Sequence, residues 1–317
     1  MTTATKKKAF GRSRERRRAL AAAAAEWKLR RAGGLQILEA PALASLDWLV
    51  HGFSTRTGGE SKFPASGEHV LNLGFADWDS RERVLENRRK FFHAITPDGM
   101  RPVTLRQIHS DIVHRVDASK PPSIDLPQGD ALFTRDSGVL LIVQTADCVP
   151  IVLADTKKRA IAAIHAGWRG TLKRIAAKTL GHMQMEFGTR PEDVIAALGP
   201  GIGRCCYEVG SDVAKDFHAQ FPNAREWFDG PFDALASGEN DPNWLPWLTM
   251  KPPGHAPPPL RVHLDLIAAN KVILAEAGVP RSHISSSGLC TACRTGLFFS
   301  YRRERTTGRL MVAVGIL

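Results

Sequence analysis

The hydrophobic positions of the chain fall into short apolar runs that alternate with helix-like repeats. Residues 139–143, 149–153 and 160–164 are almost wholly apolar and are bounded by turn-forming residues, which is typical of strands buried on both faces. In residues 170–187 apolar side chains recur every three or four positions, which predicts an amphipathic helix. Because such segments are interleaved up to the C-terminus without a repeat, the pattern predicts one α/β domain.

Two segments depart from this pattern. Residues 1–34 are basic: the first 31 carry eleven Lys or Arg against two Glu, which accounts for +9 of the net charge of +11. We expect a disordered basic extension whose only nucleic-acid affinity is non-specific and salt-sensitive. Residues 236–260 contain seven prolines and predict an extended surface insertion. Residues 35–317, with that insertion, form the predicted catalytic domain.

Composition narrows the class of protein. Of the 317 residues, 43% are apolar and 24% are charged, as in soluble globular proteins. No apolar run approaches the ~20 residues of a membrane span, so we expect no membrane partner. Five cysteines without an export signal indicate a reducing, cytoplasmic environment rather than a disulfide framework. The cysteines are therefore candidates for metal binding or reactivity.

Three candidate metal ligands lie at the ends of predicted strands: His109, Cys148 and His165. The ends of buried strands are where an α/β sheet presents functional side chains. Two imidazoles and one thiolate suit zinc, and three protein ligands leave a fourth coordination position open, as in catalytic zinc sites. From spacing alone, however, a buried inert cysteine with two hydrogen-bonded histidines is the commoner explanation of such a triple.

The same residues also allow a metal-free interpretation. Cys148 would then be a nucleophile, and His165 would act as its general base in acyl transfer. The neighbouring Asp147 weakly opposes thiolate formation through its own charge. The residues alone leave both interpretations open.

The other cysteines and several arginines form weaker signals. Cys290 and Cys293 form a Cys-x-x-Cys segment without a second one, which argues against a four-cysteine zinc site. We predict a structural turn there, with a redox-sensitive pair as the alternative. We likewise expect the adjacent pair Cys205–Cys206 to pack a glycine-rich turn. Arginines near glycine-rich or aromatic segments are candidates for binding a phosphate or carboxylate, and they are Arg56, Arg169, Arg302 and Arg303.

The chain resembles the laccase-domain family, also called the YfiH-like family. The resemblance covers roughly residues 35–317 and follows the family's order of motifs. The main matching segments are FSTRTGG (53–59), QIHSD (107–111), GDALFT (129–134), TADCVPIVLAD (145–155), AAIHAGWRGT (162–171), ALGPGIGRCCYEVG (197–210), CTAC (290–293) and FFSYRRERTTGR (298–309). The basic extension and the proline-rich insertion lie outside the common pattern.

This resemblance implies a fold, a metal site and an activity. The implied fold is a single-domain mixed-sheet α/β sandwich, similar to the deamidase domain of cytotoxic necrotizing toxins, where a Cys–His pair is catalytic. The implied ligands of an active-site Zn²⁺ are His109, Cys148 and His165. The implied activity is phosphorolysis of adenosine, inosine, guanosine and methylthioadenosine, together with deamination of adenosine.

The family's older label, multicopper polyphenol oxidase, does not suit this sequence. A four-copper oxidase needs several His-x-His pairs, and none of the 11 histidines forms one. Cu²⁺ remains a candidate adventitious replacement for Zn²⁺, because N/S ligand sets often bind it more tightly.

On this basis the predicted function is that of a zinc-dependent purine nucleoside phosphorylase with adenosine deaminase activity. The partners would be purine nucleosides and phosphate. We assign phosphate to Arg56 first and to Arg302 or Arg303 second, and Asn72 to a ribose hydroxyl or phosphate. One alternative is a Cys–His hydrolase that edits peptidoglycan precursors, and another is a nucleic-acid-binding protein that works through its basic extension.

Overall fold

The computed structural model describes residues 26–96, 99–121, 125–230 and 261–317, which form 17 strands and seven α-helices. The strands are β1 (Lys28–Ala32), β2 (Leu35–Glu39), β3 (Leu49–Ser54), β4 (Thr57–Lys62), β5 (His69–Val70), β6 (Arg101–Val103), β7 (Val113–Arg115), β8 (Ala131–Thr134), β9 (Val139–Thr145), β10 (Val149–Asp155), β11 (Ala160–Ala166), β12 (Val194–Leu198), β13 (Glu208–Val209), β14 (Phe228–Asp229), β15 (Val262–Leu264), β16 (Ile284–Ser286) and β17 (Leu310–Ile316). The helices are α1 (Pro41–Ala44), α2 (Arg81–Ile95), α3 (Trp168–Leu172), α4 (Ile175–Phe187), α5 (Ser211–Gln220), α6 (Leu266–Glu276) and α7 (Tyr301–Glu304).

Two six-stranded mixed sheets form the centre of the fold. Their strand orders are β1-β2-β3-β17-β9-β6 and β16-β12-β10-β11-β8-β7. Most neighbouring strands are antiparallel, whereas β6–β9, β7–β8 and β12–β16 are parallel pairs. In the second sheet Val152 of β10 lies opposite Ala163 of β11 and Ala197 of β12, so this register places β10 at the middle of the sheet.

The sheets pack face to face and are covered by helices on their outer faces. Leu141 and Val143 of β9 share one buried cluster with Val152 of the opposite sheet. Leu140 and Ile142, which alternate with them along β9, point to the other face and pack with residues of α2. On the far side, α4 and α6 cover the second sheet. Strands buried on both faces must be apolar along their whole length. Two packed sheets with helices on their outer faces confirm the predicted α/β sandwich.

The structure refines two sequence expectations. The helix predicted over residues 170–187 is two helices, because Arg174 adopts a left-handed backbone conformation (φ 59°) between α3 and α4. Its guanidinium binds Glu276 at 2.9 Å and lies 4.4 Å from the ring of Phe221, so tertiary contacts hold this break in place.

The predicted basic extension, residues 1–34, is also too long at its C-terminal end. Lys28–Ala32 forms β1, which pairs antiparallel with β2. Arg30 binds Glu39 across this pair at 2.6 Å, and Trp27 packs on Phe53 with ring centroids 4.9 Å apart. Residues 1–25 and the predicted insertion 236–260 lie outside the described residues. Among the described helices, none combines the length and the apolarity needed to cross a bilayer.

Candidate active site

The structure brings His109, Cys148 and His165 together at one end of the second sheet. His109 lies in the loop between β6 and β7, Cys148 ends the turn between β9 and β10, and His165 is the second-last residue of β11. Because β10 and β11 pair antiparallel, the beginning of β10 lies beside the end of β11, with Val149 opposite Ala166. The ligand atoms of the three side chains all lie within 4.8 Å of one another.

Two residues of this region, His109 and the residue before Cys148, adopt backbone conformations with positive φ. His109 has φ 57° and Asp147, next to Cys148, has φ 91°, a region that costs a non-glycine residue free energy. The Asp147 conformation is held from two sides. Its carboxylate accepts hydrogen bonds from the Thr291 hydroxyl at 2.6 Å and the Arg302 amide at 2.7 Å, and its carbonyl accepts one from the Ile202 amide at 2.7 Å.

Asp130, which sequence reasoning did not single out, contacts both histidines of the cluster. This buried carboxylate accepts hydrogen bonds from the backbone amide of His109 at 3.1 Å and the hydroxyl of Ser110 at 2.6 Å. It also lies 2.8 Å from Nδ1 of His165. Burial alone would raise the pKa of Asp130, but His165 and Ser110 outweigh it and lower that pKa to about 2. Asp130 is therefore ionised, and Nδ1 of His165 donates to it.

The Asp130 contact fixes which nitrogen of His165 is available. With Nδ1 engaged, Nε2 is left to face Cys148. A carboxylate that holds the second nitrogen of a histidine is the usual support of a metal-binding histidine, because it fixes the tautomer and the ring orientation. The one signal for Asp130 in the sequence was its place just before the strand in the segment GDALFT (129–134).

Cys148 and His165 shift each other's protonation. Burial opposes ionisation of the Cys148 thiol, but His165 and His109 outweigh it and lower its pKa to about 6. Burial likewise opposes charge on His165, yet Cys148 and Asp130 raise its pKa to about 9. Between those two values the metal-free pair is a thiolate beside an imidazolium. The thiolate is the form of cysteine that binds metals and attacks electrophiles.

Gly167 makes room for the cluster. A Cβ atom at this position would lie 2.9 Å from the Cys148 sulfur and 3.2 Å from Cδ2 of His109. Its backbone (φ −78°, ψ 178°) is accessible to other residues, so space rather than conformation favours glycine.

The three residues lie in the wall of a cleft of about 710 Å³. That volume is within the usual range of small-molecule sites. The other lining side chains are mainly aromatic or cationic, and they include Trp168, Tyr207, Tyr301, Arg169, Arg302, Arg305 and Arg309. The arrangement can hold a flat apolar group and an anion beside a metal site or a reactive thiolate.

Of the predicted anion-binding residues, only Arg169 and Arg302 line the cleft. Arg302 lies 5.2 Å from the ring centroid of Tyr207 and donates to the carbonyl of Glu208 at 2.6 Å. Arg303 points away and donates to the carbonyl of Ala292 at 3.3 Å.

Arg56 and Asn72 have structural surroundings instead. The buried guanidinium of Arg56 binds Glu304 at 2.6 Å and lies 4.4 Å and 4.6 Å from the ring centroids of Phe63 and Phe299. Asn72, which is fully buried, donates to Asp79 at 2.8 Å and accepts from the Arg309 amide at 2.9 Å. Neither residue lines the cleft, so their positions do not support the expected phosphate and ribose contacts. Sequence reasoning missed Arg305 and Arg309, which do line it.

The remaining four cysteines also meet. Cys205 and Cys206 lie beside Cys290 and Cys293, and the four sulfur atoms are within 4.8 Å of one another. The sequence offered no second Cys-x-x-Cys segment to accompany Cys290–Cys293, but the fold supplies two thiols from a segment some 88 residues away.

Comparison with known proteins agrees with the fold. The chain is 38% identical over 286 residues to a purine nucleoside phosphorylase of Deinococcus radiodurans, covering 90% of this chain and 94% of that protein. It is 33% identical over 261 residues to adenosine deaminase RL5 of an unknown prokaryotic organism, covering 80% and 88%. The crystal structure of YlmD from Geobacillus stearothermophilus superposes with a TM-score of 0.73 at 32% identity, covering 91% and 98%.

Most of the chain, residues 50–317, matches one family, whose description is multi-copper polyphenol oxidoreductase laccase. The matched range contains all three residues of the His109–Cys148–His165 cluster. The superposed structure has the same mixed α/β fold. The chain therefore belongs to the multi-copper polyphenol oxidoreductase laccase family, the YfiH-like family that its sequence segments resemble.

Proposed function

We propose that the chain is a zinc-dependent purine nucleoside phosphorylase that also deaminates adenosine. The observation that carries this proposal is the three-ligand cluster of His109, Cys148 and His165 in the wall of a cleft of nucleoside size. The names of the Deinococcus phosphorylase and the RL5 deaminase support the two reactions. The proposed substrates are adenosine, inosine, guanosine and methylthioadenosine, with phosphate as the second substrate.

The donor set fits zinc. His109, Cys148 and His165 would hold the ion, and Asp130 would keep His165 in the required tautomer. Three ligands leave a position open, as in catalytic rather than structural zinc sites. Zinc bound there would supply a Lewis acid that polarises an oxygen nucleophile. The same N/S set would accept Cu²⁺ as an adventitious replacement.

The cleft arginines are the proposed phosphate contacts. Arg169 is exposed beside the cluster with its guanidinium 4.6 Å from the Trp168 ring, and Arg302, Arg305 and Arg309 line the same cleft. Guanidinium groups match phosphate oxygens through paired hydrogen bonds. Trp168, Tyr207 and Tyr301 offer ring faces for the purine. Burial raises the pKa of Tyr207, so its hydroxyl stays protonated and can donate.

The two reactions share this arrangement. In phosphorolysis a phosphate oxygen bonds to the anomeric carbon of ribose, while the glycosidic C–N bond breaks and the purine leaves with the bonding pair and takes up a proton. In deamination water adds to the purine carbon that bears the amine, and ammonia leaves. Arginines that hold phosphate and aromatic rings that hold the base would keep each pair of reactants in position.

A four-copper laccase activity does not fit the ligands. In the described part of the chain only two groups of residues could hold a metal, and neither contains more than two histidines. A trinuclear copper cluster requires many more imidazoles than these groups provide. We therefore assign no polyphenol oxidation to this chain.

One observation favours a second candidate, a hydrolase of amides such as peptidoglycan precursors. His165 contacts Cys148 on one side and Asp130 on the other. In such a hydrolase Cys148 would be the nucleophile, His165 its base and Asp130 the carboxylate that orients the base. This order has the logic of a hydrolytic triad. We rank it second because His109 adds a third metal ligand that a triad does not need.

The test is chromatography of adenosine incubated with the protein, with and without phosphate, beside a Cys148→Ala control. We expect adenine only with phosphate and inosine without it, with both rates falling more than about 100-fold in the variant. Chelation should abolish both activities, and added zinc should restore them. Adenosine turnover that survives chelation would contradict the zinc requirement. The metal-free hydrolase would be supported instead by hydrolysis of an amide substrate that survives chelation and is lost in Cys148→Ala.

A further inference from the structure

The thiols of Cys205, Cys206, Cys290 and Cys293 converge at a place separate from the His109–Cys148–His165 cluster. The sulfur of Cys293 lies 3.4 Å from those of both Cys205 and Cys206, and all four sulfurs lie within 4.8 Å of one another. Four thiolates around one zinc ion, each about 2.3 Å from it, stand roughly 3.8 Å apart. The observed separations bracket that value.

Backbone contacts, rather than the thiols themselves, bring the two segments together. Gly201 and Cys290 form a parallel bridge, and the Thr291 amide donates to the Gly201 carbonyl at 3.0 Å. Each segment then turns tightly, because the Cys206 amide donates to the Gly203 carbonyl at 2.9 Å and the Arg294 amide to the Cys290 carbonyl at 3.2 Å. The thiols are therefore arranged in advance, as a metal site requires.

Hydrogen-bond donors also lie close to two of the four sulfur atoms. The Gly203 amide donates to the Cys290 sulfur at 3.2 Å, and Nη2 of Arg303 lies 3.9 Å from the Cys206 sulfur. Four thiolates and one divalent cation carry a net charge of −2, and such donors stabilise that charge. A cluster of neutral thiols would have no comparable need for them.

We propose that Cys205, Cys206, Cys290 and Cys293 form a second metal site, which binds one Zn²⁺ through four thiolates and has a structural role. Four protein ligands close the coordination sphere, whereas a catalytic site keeps a position open. On binding, four thiols lose their protons and no electrons are transferred, so the step needs no oxidant.

The position of this site gives it a function. Ile202 precedes Cys205 and Thr291 follows Cys290, and both donate a hydrogen bond to Asp147, the residue before Cys148. Zinc on the four thiols would clamp the two segments that hold Asp147 in its left-handed conformation. The second site would then brace the turn that presents Cys148 without taking part in chemistry.

The experiment measures the zinc content of the full chain, purified under reducing conditions. It uses a Cys148→Ala background, which lacks one ligand of the His109–Cys148–His165 cluster. We expect one zinc per chain in Cys148→Ala and none after adding Cys293→Ser. Adding Cys293→His instead, which keeps a zinc ligand, should preserve the metal. Cobalt-loaded Cys148→Ala should show the intense thiolate-to-cobalt absorption of a tetrahedral four-thiolate site.

Three results would overturn the proposal. One is a Cys148→Ala protein without zinc whose four other thiols react freely with a thiol reagent. Another is an intact mass lower by two or four hydrogens, which would mean that the thiols form disulfides. The third is zinc that persists in the Cys293→Ser variant. None of these results depends on nucleoside turnover, so failure here is distinguishable from failure of the proposed activity.

Discussion

The two thiol-containing clusters of this molecule differ in what surrounds them. His109, Cys148 and His165 line a cleft, and a buried carboxylate below them fixes one imidazole. The four-cysteine cluster sits on two turns that are joined by backbone hydrogen bonds. The first cluster offers three candidate metal ligands beside an open cleft, and the second offers four. If both clusters bind zinc as we propose, the number of protein ligands is what separates a catalytic site from a structural one.

Among the variants that test this difference between the clusters, Asp130→Asn is expected to have the largest effect on zinc affinity and turnover. The amide removes the negative charge that holds His165, so zinc affinity and turnover should each fall about 10- to 100-fold. Metal bound by the four cysteines should not change. Zinc titration and kcat/KM measure the first effect, and cobalt absorption measures the second.

A matched control is Ser110→Ala, which removes one donor to Asp130 and keeps the carboxylate. Its losses should be smaller than those of Asp130→Asn. Equal zinc affinity in wild type and Asp130→Asn would show that the carboxylate does not support His165.

A smaller effect is expected from a methyl group added to each cluster in turn. At Gly167 the new Cβ would press on the Cys148 sulfur at 2.9 Å, and at Gly203 it would lie 3.3 Å from the Cys205 sulfur. We expect Gly167→Ala to lower kcat/KM about tenfold, or ~1.4 kcal/mol, with little change in Tm. Gly203→Ala should lower Tm by a few degrees and leave kcat/KM within about twofold.

Measuring Tm and kcat/KM on both glycine variants checks this prediction. The contrast between the clusters would break down if Gly203→Ala reduced turnover as much as Gly167→Ala did.

A pH dependence of metal binding is also expected at the His109–Cys148–His165 cluster. Zinc needs a thiolate and a neutral imidazole, while the free protein has pKa values of about 6 for Cys148 and about 9 for His165. Binding should therefore release, from Cys148 and His165 together, about one proton between pH 6 and 9, about two below pH 6 and almost none above pH 9. Affinity should rise with pH, about tenfold per unit in the middle window.

Calorimetry of zinc binding in buffers with different protonation enthalpies measures this release. A Cys290→Ser/Cys293→Ser protein isolates the first cluster. Zinc uptake at pH 7.5 without proton release would contradict the imidazolium assigned to His165.

Elements of the fold that depend on local pattern were predictable. Residues 139–143, 149–153 and 160–164 became β9, β10 and β11, because strands covered on both faces must be apolar along their whole length. The break at Arg174 was not predictable, since Glu276 and Phe221 hold it from distant parts of the chain.

The candidate site was predictable in part. His109, Cys148 and His165 stood out because their side chains suit a metal and end predicted strands. Asp130 gave no comparable signal, since a carboxylate before a strand is ordinary until its partners are known. Arg56 looked like a phosphate ligand, yet Glu304, 248 residues later, takes its guanidinium.

By itself the sequence determined the alternation of strands and helices and the donor types that could bind a metal. Both follow from side-chain chemistry and short-range periodicity. Only the tertiary structure decided which arginines face the cleft and that Cys205–Cys206 meets Cys290–Cys293. Those outcomes depend on contacts between residues far apart in the chain, and the burial and electrostatics of a side chain are set by the neighbours that folding gives it.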